Sequence, residues 1–208
     1  SIVALFTPVK YTLSVNTPYG VATPTGITTQ DWNFLVNASI AGSPVAVGIY
    51  TQYVCTGRTG TGSATTGPGT SFSFNITANS TINWNWQTQY WVTASAGANG
   101  SVAFTNGWYN RGTPNIAVTA IPDSGYHFTG WTGSTNSAVN PLNLTAWQSY
   151  NLTASFAGDM GNVRVDINPA EAIAAGAMWR LTSGPDTAWK NSGVVVSNIP
   201  IAGQPYTV

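Results

Sequence analysis

Charged residues are scarce in this sequence. It contains six Lys or Arg and six Asp or Glu in 208 residues, and its formal net charge is zero, whereas about a quarter of an ordinary soluble domain is charged. Thr, Ser and Asn supply about a third of the chain instead. A neutral chain has no basic surface for phosphate backbones or anionic lipids. We therefore expect neither nucleic acid nor a membrane surface as a partner.

Cysteine and long apolar runs are also scarce. The single Cys55 excludes an internal disulfide framework and a multi-cysteine metal site. No apolar run is long enough to span a bilayer, and the first residues lack the pattern of a signal peptide. Membrane insertion is therefore not expected.

The residue types that carry chemistry form no recognisable site. His127, the only histidine, has the opposite strand parity to Tyr126 and Phe128, which places it toward solvent or a neighbouring module rather than at a metal. Cys55 occupies the position of a core aromatic residue. The acidic residues are scattered, without the spacing of a glycosidase pair or a calcium loop. We expect no catalytic residue, no metal, no cofactor and no enzymatic activity.

Segments of alternating apolar and polar residues fill most of the chain. KYTLSV, YWVTAS, SYNLTASF and NVRVDI have period two, and Gly-, Asn- and Pro-rich joints separate such segments. We expect an all-β fold, built as an elongated tandem array of small antiparallel modules that are β-grasp-like or sandwich-like. Only residues 169–178 are compatible with a helix, and Gly176 weakens that assignment.

One stretch occurs twice in related form, as YVCTGRTG at residues 53–60 and YHFTGWTG at residues 126–133. Each copy lies between an opening strand, at Tyr11 or Tyr90, and a closing strand. We predict four segments from this repetition: a closing or donor strand at 1–8, β modules at 9–88 and 89–158, and a smaller, incomplete β-rich module at 160–208.

We interpret the repeated stretch as a folding unit and not as a catalytic site. The matched residues are Tyr53, Cys55, Gly57 and Gly60 in the first copy, and Tyr126, Phe128, Gly130 and Gly133 in the second. The apolar pairs should point into a core, and the glycines should serve a positive φ or a close backbone approach. Trp131 should be a lid over one end of its module. Its counterpart Arg58 should cover the same surface with its aliphatic stem, with the guanidinium in water or stacked on a ring.

The nine tryptophans leave two interpretations open. Some are most simply core residues: Trp84, Trp86, Trp179 and Trp189. Others lie in or beside polar segments: Trp32, Trp91, Trp108 and Trp147. Aromatic residues in such places either anchor a protein contact or stack on sugar rings. We favour the protein contact and keep a carbohydrate-binding module as the alternative.

The second unit resembles a known family. Its NGSVAFTNGWYNRGT segment, followed by GYHFTGWTG and a closing strand that ends in Phe, is similar to the divergent internalin-type B-repeat of bacterial surface and secreted proteins. The first unit fits more loosely because it is longer and has GRTG in place of GWTG. The third unit, with INPAEAIAAGAMWRL, resembles another tandem repeat of large bacterial extracellular proteins. The resemblance implies an extracellular or cell-surface location, a spacing, adhesive or filament-building role, and no catalytic residues.

The two ends lead to a hypothesis about assembly. SIVALFTP is similar to a closing strand, and its candidate donor residues are Ile2, Val3, Leu5 and Phe6. We expect the third module to lack its final strands at Val208. Unpaired strand edges bind other strands unless charged residues guard them, and Lys10 and Lys190 are the only lysines. We predict a head-to-tail homopolymer, or pairing with neighbouring modules of the same chain, that forms part of a surface filament.

Overall fold

The computed structural model describes residues 7–201 and 206–208. These residues form sixteen strands and one short helix, α1 (Ala170–Ala174). The strands are β1 (Lys10–Asn16), β2 (Val21–Thr23), β3 (Gly26–Asp31), β4 (Leu35–Ala41), β5 (Val45–Ala46), β6 (Thr51–Thr61), β7 (Ser71–Asn75), β8 (Ser80–Ala96), β9 (Gly100–Ala103), β10 (Gly107–Asn110), β11 (Ile116–Pro122), β12 (Tyr126–Gly133), β13 (Leu142–Leu144), β14 (Tyr150–Gly158), β15 (Met160–Arg164) and β16 (Val195–Pro200). The all-β prediction, with several small antiparallel sheets, is confirmed. None of the described helical residues belongs to a helix long and apolar enough to cross a membrane.

Period-two alternation forms the core as the sequence indicates. In β4, Val36, Ala38 and Ile40 are buried, while the residues between them are exposed or half-buried. Successive side chains of a strand point to opposite faces of the sheet, so one face of β4 enters the core. The helix-compatible segment forms α1, which buries none of its residues.

The chain contacts divide the protein into two compact units. Unit 1 contains the residues up to Val92 together with Asn106–Pro114 and Thr145–Ser149, and unit 2 contains the rest. The predicted boundary between residues 88 and 89 lies inside β8, which runs without a break for 17 residues. The division into modules at 9–88, 89–158 and 160–208 remains a prediction.

Unit 1 is organised around β8. This strand pairs in parallel with β1 and antiparallel with β6 and β10, while β1 also pairs with β3. A second sheet has the strand order β2–β4–β7. Both sheets contribute to one core, whose main members are Leu13, Val15, Ala22, Val36, Ala38, Ile40, Cys55, Ile82 and Trp84.

Unit 2 contains the ladder between β12 and β14, the sheet β13–β11–β9 and the pair β15–β16. The last residues of β8 belong here, where the Ser95 hydroxyl donates to the carbonyl of Leu152 at 3.3 Å. Around β15 and β16 a separate small core contains Trp179, Leu181, Val196 and Ile199.

Candidate functional site

Both copies of the repeated stretch lie on a strand that carries a β-bulge at the same position. The register of β6 against β8 shifts between Cys55 and Gly57, and the register of β12 against β14 shifts between Phe128 and Gly130. In each copy the residue left without a partner is the threonine before the first glycine. A bulge bends its strand and increases the local twist, so the repeated sequence specifies a repeated bend.

A short bridge follows the bulge in both copies. Arg58 and Gly67 exchange backbone hydrogen bonds of 2.8 and 3.1 Å, and Trp131 and Ser137 exchange bonds of 2.7 and 3.2 Å. The returning backbone therefore lies against the repeated strand at the same place in each copy.

In each copy one glycine of the stretch permits a close approach of another backbone segment. A Cβ atom at Gly57, where φ is +133°, would lie 2.4 Å from the carbonyl oxygen of Gly67. At Gly133, where φ is +113°, it would lie 2.2 Å from the carbonyl oxygen of Asn151. Both positions combine a positive φ with a backbone contact that excludes any side chain.

Arg58 is a buried residue of unit 1, with 8% of its surface exposed. Its guanidinium carbon lies 3.4 Å from the centroid of the Phe72 ring. Nε donates to the carbonyl of Thr65 at 3.0 Å, and Nη1 donates to the carbonyl of Pro68 at 3.1 Å. Burial lowers the pKa of Arg58. The sequence left two positions open for the guanidinium, in water or stacked on a ring. In the structure it is stacked on a ring.

Trp131 is likewise buried, with 1% of its surface exposed. Its ring centroid lies 5.5 Å from that of Phe128, whose ring makes an edge contact with Phe156. Trp131 is one of the largest fully buried side chains among the described residues, as expected of a residue in the core of the repeated motif.

The other residues of the repeated stretch serve packing as well. Tyr53 is half-buried and stacks on Tyr19 at 3.8 Å between centroids. Cys55 is buried, with its thiol 3.6 Å from the carbonyl of Gly57. Tyr126 is half-buried. Of these residues, Cys55 belongs to the core of unit 1.

His127 is exposed, and its Nδ1 lies 2.6 Å from Oδ1 of Asp159. Within residues 7–201 and 206–208 no three His, Cys, Asp or Glu side chains come together as a group that could hold a metal ion. Three other acidic residues form ion pairs with basic ones: Asp31 with Lys10, Asp166 with Arg164, and Asp186 with Lys190.

The four candidate contact tryptophans fall into two classes. Trp32 and Trp147 are each 60% exposed, and the guanidinium of Arg111 lies 5.5 Å from the Trp147 ring centroid. Trp91 and Trp108 are half-buried, lie opposite each other in the β8–β10 ladder, and meet edge to face at 5.4 Å.

Two of the tryptophans assigned to the core, Trp84 and Trp179, are buried, and Trp86 is half-buried against the core of unit 1. The assignment of Trp189 is wrong. The residue is 57% exposed, and the guanidinium of Arg180 lies 4.8 Å from its ring centroid. The candidate donor residues Ile2, Val3, Leu5 and Phe6 lie outside the described residues.

Sequence analysis missed a row of amide side chains on β8. Residues of one parity on this strand, Ile82, Trp84 and Val92, are buried. The opposite parity carries Asn83, Asn85, Gln87 and Gln89 and then Trp91, all half-buried or exposed. We call these four amides and their cross-strand amide neighbours Asn16, Gln52 and Asn110 the amide row. The signal was present in NWNWQTQ, where an amide residue occupies every second position.

Hydrogen bonds join the amide row across four strands, β1, β6, β8 and β10. Nε2 of Gln52 donates to Oε1 of Gln89 at 2.8 Å, and Nε2 of Gln89 donates to Oδ1 of Asn110 at 2.9 Å. Nδ2 of Asn16 donates to Oδ1 of Asn83 at 2.9 Å. These bonds hold the amide planes in fixed directions along the sheet.

Comparisons with known proteins identify one relationship, which covers about a third of the chain. No match was found among curated proteins, and none was found among solved structures. The family that does match is a bacterial surface repeat domain, associated with bacterial cell-surface proteins. Residues 90–160, which include the second copy of the repeated stretch, match the divergent InlB B-repeat domain family.

Proposed function

We propose that this chain is a non-enzymatic structural or adhesive part of a bacterial surface or secreted protein. The observation that carries the proposal is the structural role of the residues in the repeated stretch. In both copies its bulge, its glycines and its central residue, Arg58 or Trp131, serve backbone approach and core packing. The family match at residues 90–160 supports a surface location.

Labelling of intact cells tests this proposal. An antibody raised against the 208-residue chain should bind intact cells that produce the parent protein, or detect the chain in their culture medium. Labelling that requires permeabilised cells would contradict the proposed location. An activity that is lost when His127 is replaced with Gln, while the melting temperature is unchanged, would contradict the non-enzymatic role.

We also propose that residues 9–88 form a second copy of the B-repeat module. Its support is the bulge at Cys55 and Gly57 and the bridge between Arg58 and Gly67, which match the bulge and bridge inside residues 90–160.

For assembly, we propose head-to-tail strand pairing between copies of the chain, and β3 is the edge that supports it. Within the described part of the protein, β3 pairs only with β1. On β3, Ile27 is 77% exposed. Among the described residues, the one ion pair along this strand joins Lys10 to Asp31 at one end of the β1–β3 ladder. An edge with so little charge is available to another strand. Residues 1–8, which contain five consecutive apolar residues at 2–6, are the proposed donor.

Deletion of residues 1–8, followed by electron microscopy, tests the assembly proposal. The intact chain should form filaments that persist across a wide range of salt and pH, because few ions take part in the contact. The shortened chain should remain monomeric. A monodisperse monomer from the intact chain would exclude the polymer, and unchanged filaments after the deletion would exclude this donor strand.

A further inference from the structure

The amide row of unit 1 has no charged member. It consists of Asn and Gln side chains along β8 and its neighbours, and it ends at the edge-to-face pair of Trp91 and Trp108. Arg111, which follows β10, holds its guanidinium over Trp147. A row of side chains without ionic groups favours a ligand without charge, because a charged ligand would lose hydration there without gaining an ionic partner.

Amide side chains are suited to sugar hydroxyls. Each amide offers two N–H donors and two acceptor positions, and a hydroxyl both donates and accepts. In the bonds from Gln52 to Gln89 and from Gln89 to Asn110, each donating amide uses one of its two N–H groups. Each accepting amide oxygen uses one of its two acceptor positions. These bonds fix the orientation of the amides and leave their remaining hydrogen-bonding capacity for a ligand. Preorganisation of this kind reduces the entropy that binding would otherwise cost.

The row is long. From Asn83 to Trp91 the strand rises about 27 Å, at roughly 3.4 Å per residue, and successive side chains on this face recur every second residue. The ligand must therefore be extended and repetitive, with hydrogen-bonding groups at regular intervals along its length.

Each end of the row has a different character. At one end, Asn16 and Asn83 border a cavity of about 380 Å³ that is also lined by Thr17 and Thr25, a volume within the range of small-molecule sites. At the other end, Trp91 and Trp108 present partly exposed indole rings, which provide apolar surface for the faces of sugar rings.

We propose that this face binds an extended neutral polysaccharide. The amides of Asn85, Gln87 and Gln89 hydrogen-bond its hydroxyls, and Trp91 stacks on one of its rings. This inference goes beyond the proposed structural role and does not depend on head-to-tail pairing, which involves β3 and residues 1–8.

Titration of the 208-residue chain with cellohexaose, an uncharged extended hexasaccharide, tests the proposal. Side-chain amide signals of the row should shift in NMR spectra, and calorimetry should give a saturable affinity. Replacing Gln89 with Ala, or Trp91 with Ala, should weaken binding by about threefold to tenfold, as expected for the loss of one hydrogen-bonding or packing group. Hexagalacturonate, which carries carboxylates, should bind more weakly than cellohexaose.

Trp32→Ala is the matched control, because Trp32 is an exposed tryptophan of the same unit and lies outside the row. It should leave the affinity unchanged.

Gln89→Glu keeps the shape of the side chain and provides a second test if Gln89→Ala lowers the melting temperature. This variant should weaken binding as well. Absence of cellohexaose binding at millimolar concentration by the folded chain would overturn the proposal. So would equal weakening by Trp32→Ala and Trp91→Ala.

Discussion

Trp131 lies directly opposite Ala154 in the ladder between β12 and β14. At the matched positions of the other copy, Arg58 lies opposite Trp84 in the ladder between β6 and β8. The indole therefore lies on the repeated strand, β12, in the second copy, and on the opposing strand, β8, in the first copy. Directly opposed residues share one face of a sheet and pack together, so the replacement of Trp131 by Arg58 keeps an indole in each core. Both indole N–H groups are buried without a hydrogen-bond partner among the described atoms.

The close backbone approach at the bulge predicts a large cost for any side chain at Gly57. A Gly57→Ala variant should lower the free energy of unfolding by more than about 2 kcal/mol, because it adds a steric conflict with Gly67 to the strain of a positive φ. Urea unfolding followed by circular dichroism measures the loss.

Gly69→Ala provides the control for this measurement. Gly69 also has a positive φ, of +85°, but no atom within 4 Å of an added Cβ. It should cost only the backbone strain, about 1 kcal/mol. Equal losses in the two variants would show that the contact with Gly67 contributes nothing.

The buried guanidinium predicts that Arg58 and lysine are not interchangeable. A lysine at this position retains the charge but lacks the planar group that stacks on Phe72 while donating to two carbonyls. We expect Arg58→Lys to cost about 1–3 kcal/mol of unfolding free energy.

Arg164→Lys is the matched exposed substitution, because the Arg164 side chain is 60% exposed in its ion pair with Asp166. It should change stability by less than about 0.5 kcal/mol. If Arg58→Lys proves equally mild in thermal and urea unfolding, the stacking and hydrogen bonds described for Arg58 do not stabilise unit 1.

The pKa of one carboxylate in the last part of the chain should lie below its ordinary value. The hydrogen bond from Lys190, together with one from the backbone N–H of Ala188, lowers the pKa of Asp186 below its ordinary value. The pKa of Asp186 is lower in the folded chain than in the unfolded chain. The ionised carboxylate therefore stabilises the fold at pH values above the unfolded pKa of about 3.9. That contribution disappears as the pH falls through the folded pKa.

Carboxyl-carbon NMR titration measures this pKa. Lys190→Met should raise the pKa of Asp186 toward its ordinary value, whereas Lys10→Met, which removes the other lysine, should leave it unchanged. A pKa of Asp186 that does not move in the Lys190 variant contradicts the assigned cause.

Much of the fold follows from local sequence. Alternation at period two predicts strands such as β1 and β14, and the joints rich in Gly, Asn and Pro predict where they end. The repeated stretch, with its glycines at matched positions, predicts a shared backbone feature, and the structure has a bulge in each copy. These features depend on neighbouring residues and backbone sterics, which the sequence contains directly.

Other features depend on which strands become neighbours. The position of Arg58 depends on Phe72, which β7 supplies by pairing with β4. Trp179 and Leu181 enter a small core, whereas Trp189 stays exposed. Alternation marks the two faces of β8, but only the pairing of β8 with β6 and β10 brings Gln52, Gln89 and Asn110 into one row. Long-range pairing of this kind cannot be derived from local periodicity.

The most direct test of this account is a double-mutant cycle on the exchanged pair. We would replace Arg58 with Trp and Trp84 with Ala, singly and together, so that the first copy acquires the arrangement of Trp131 opposite Ala154. Each single change should destabilise the chain, one by overpacking and the other by leaving a cavity. If the two copies are one folding unit with the indole moved between strands, the double variant should recover at least about 1 kcal/mol relative to the sum of the single losses. Additive losses in urea unfolding would contradict the account.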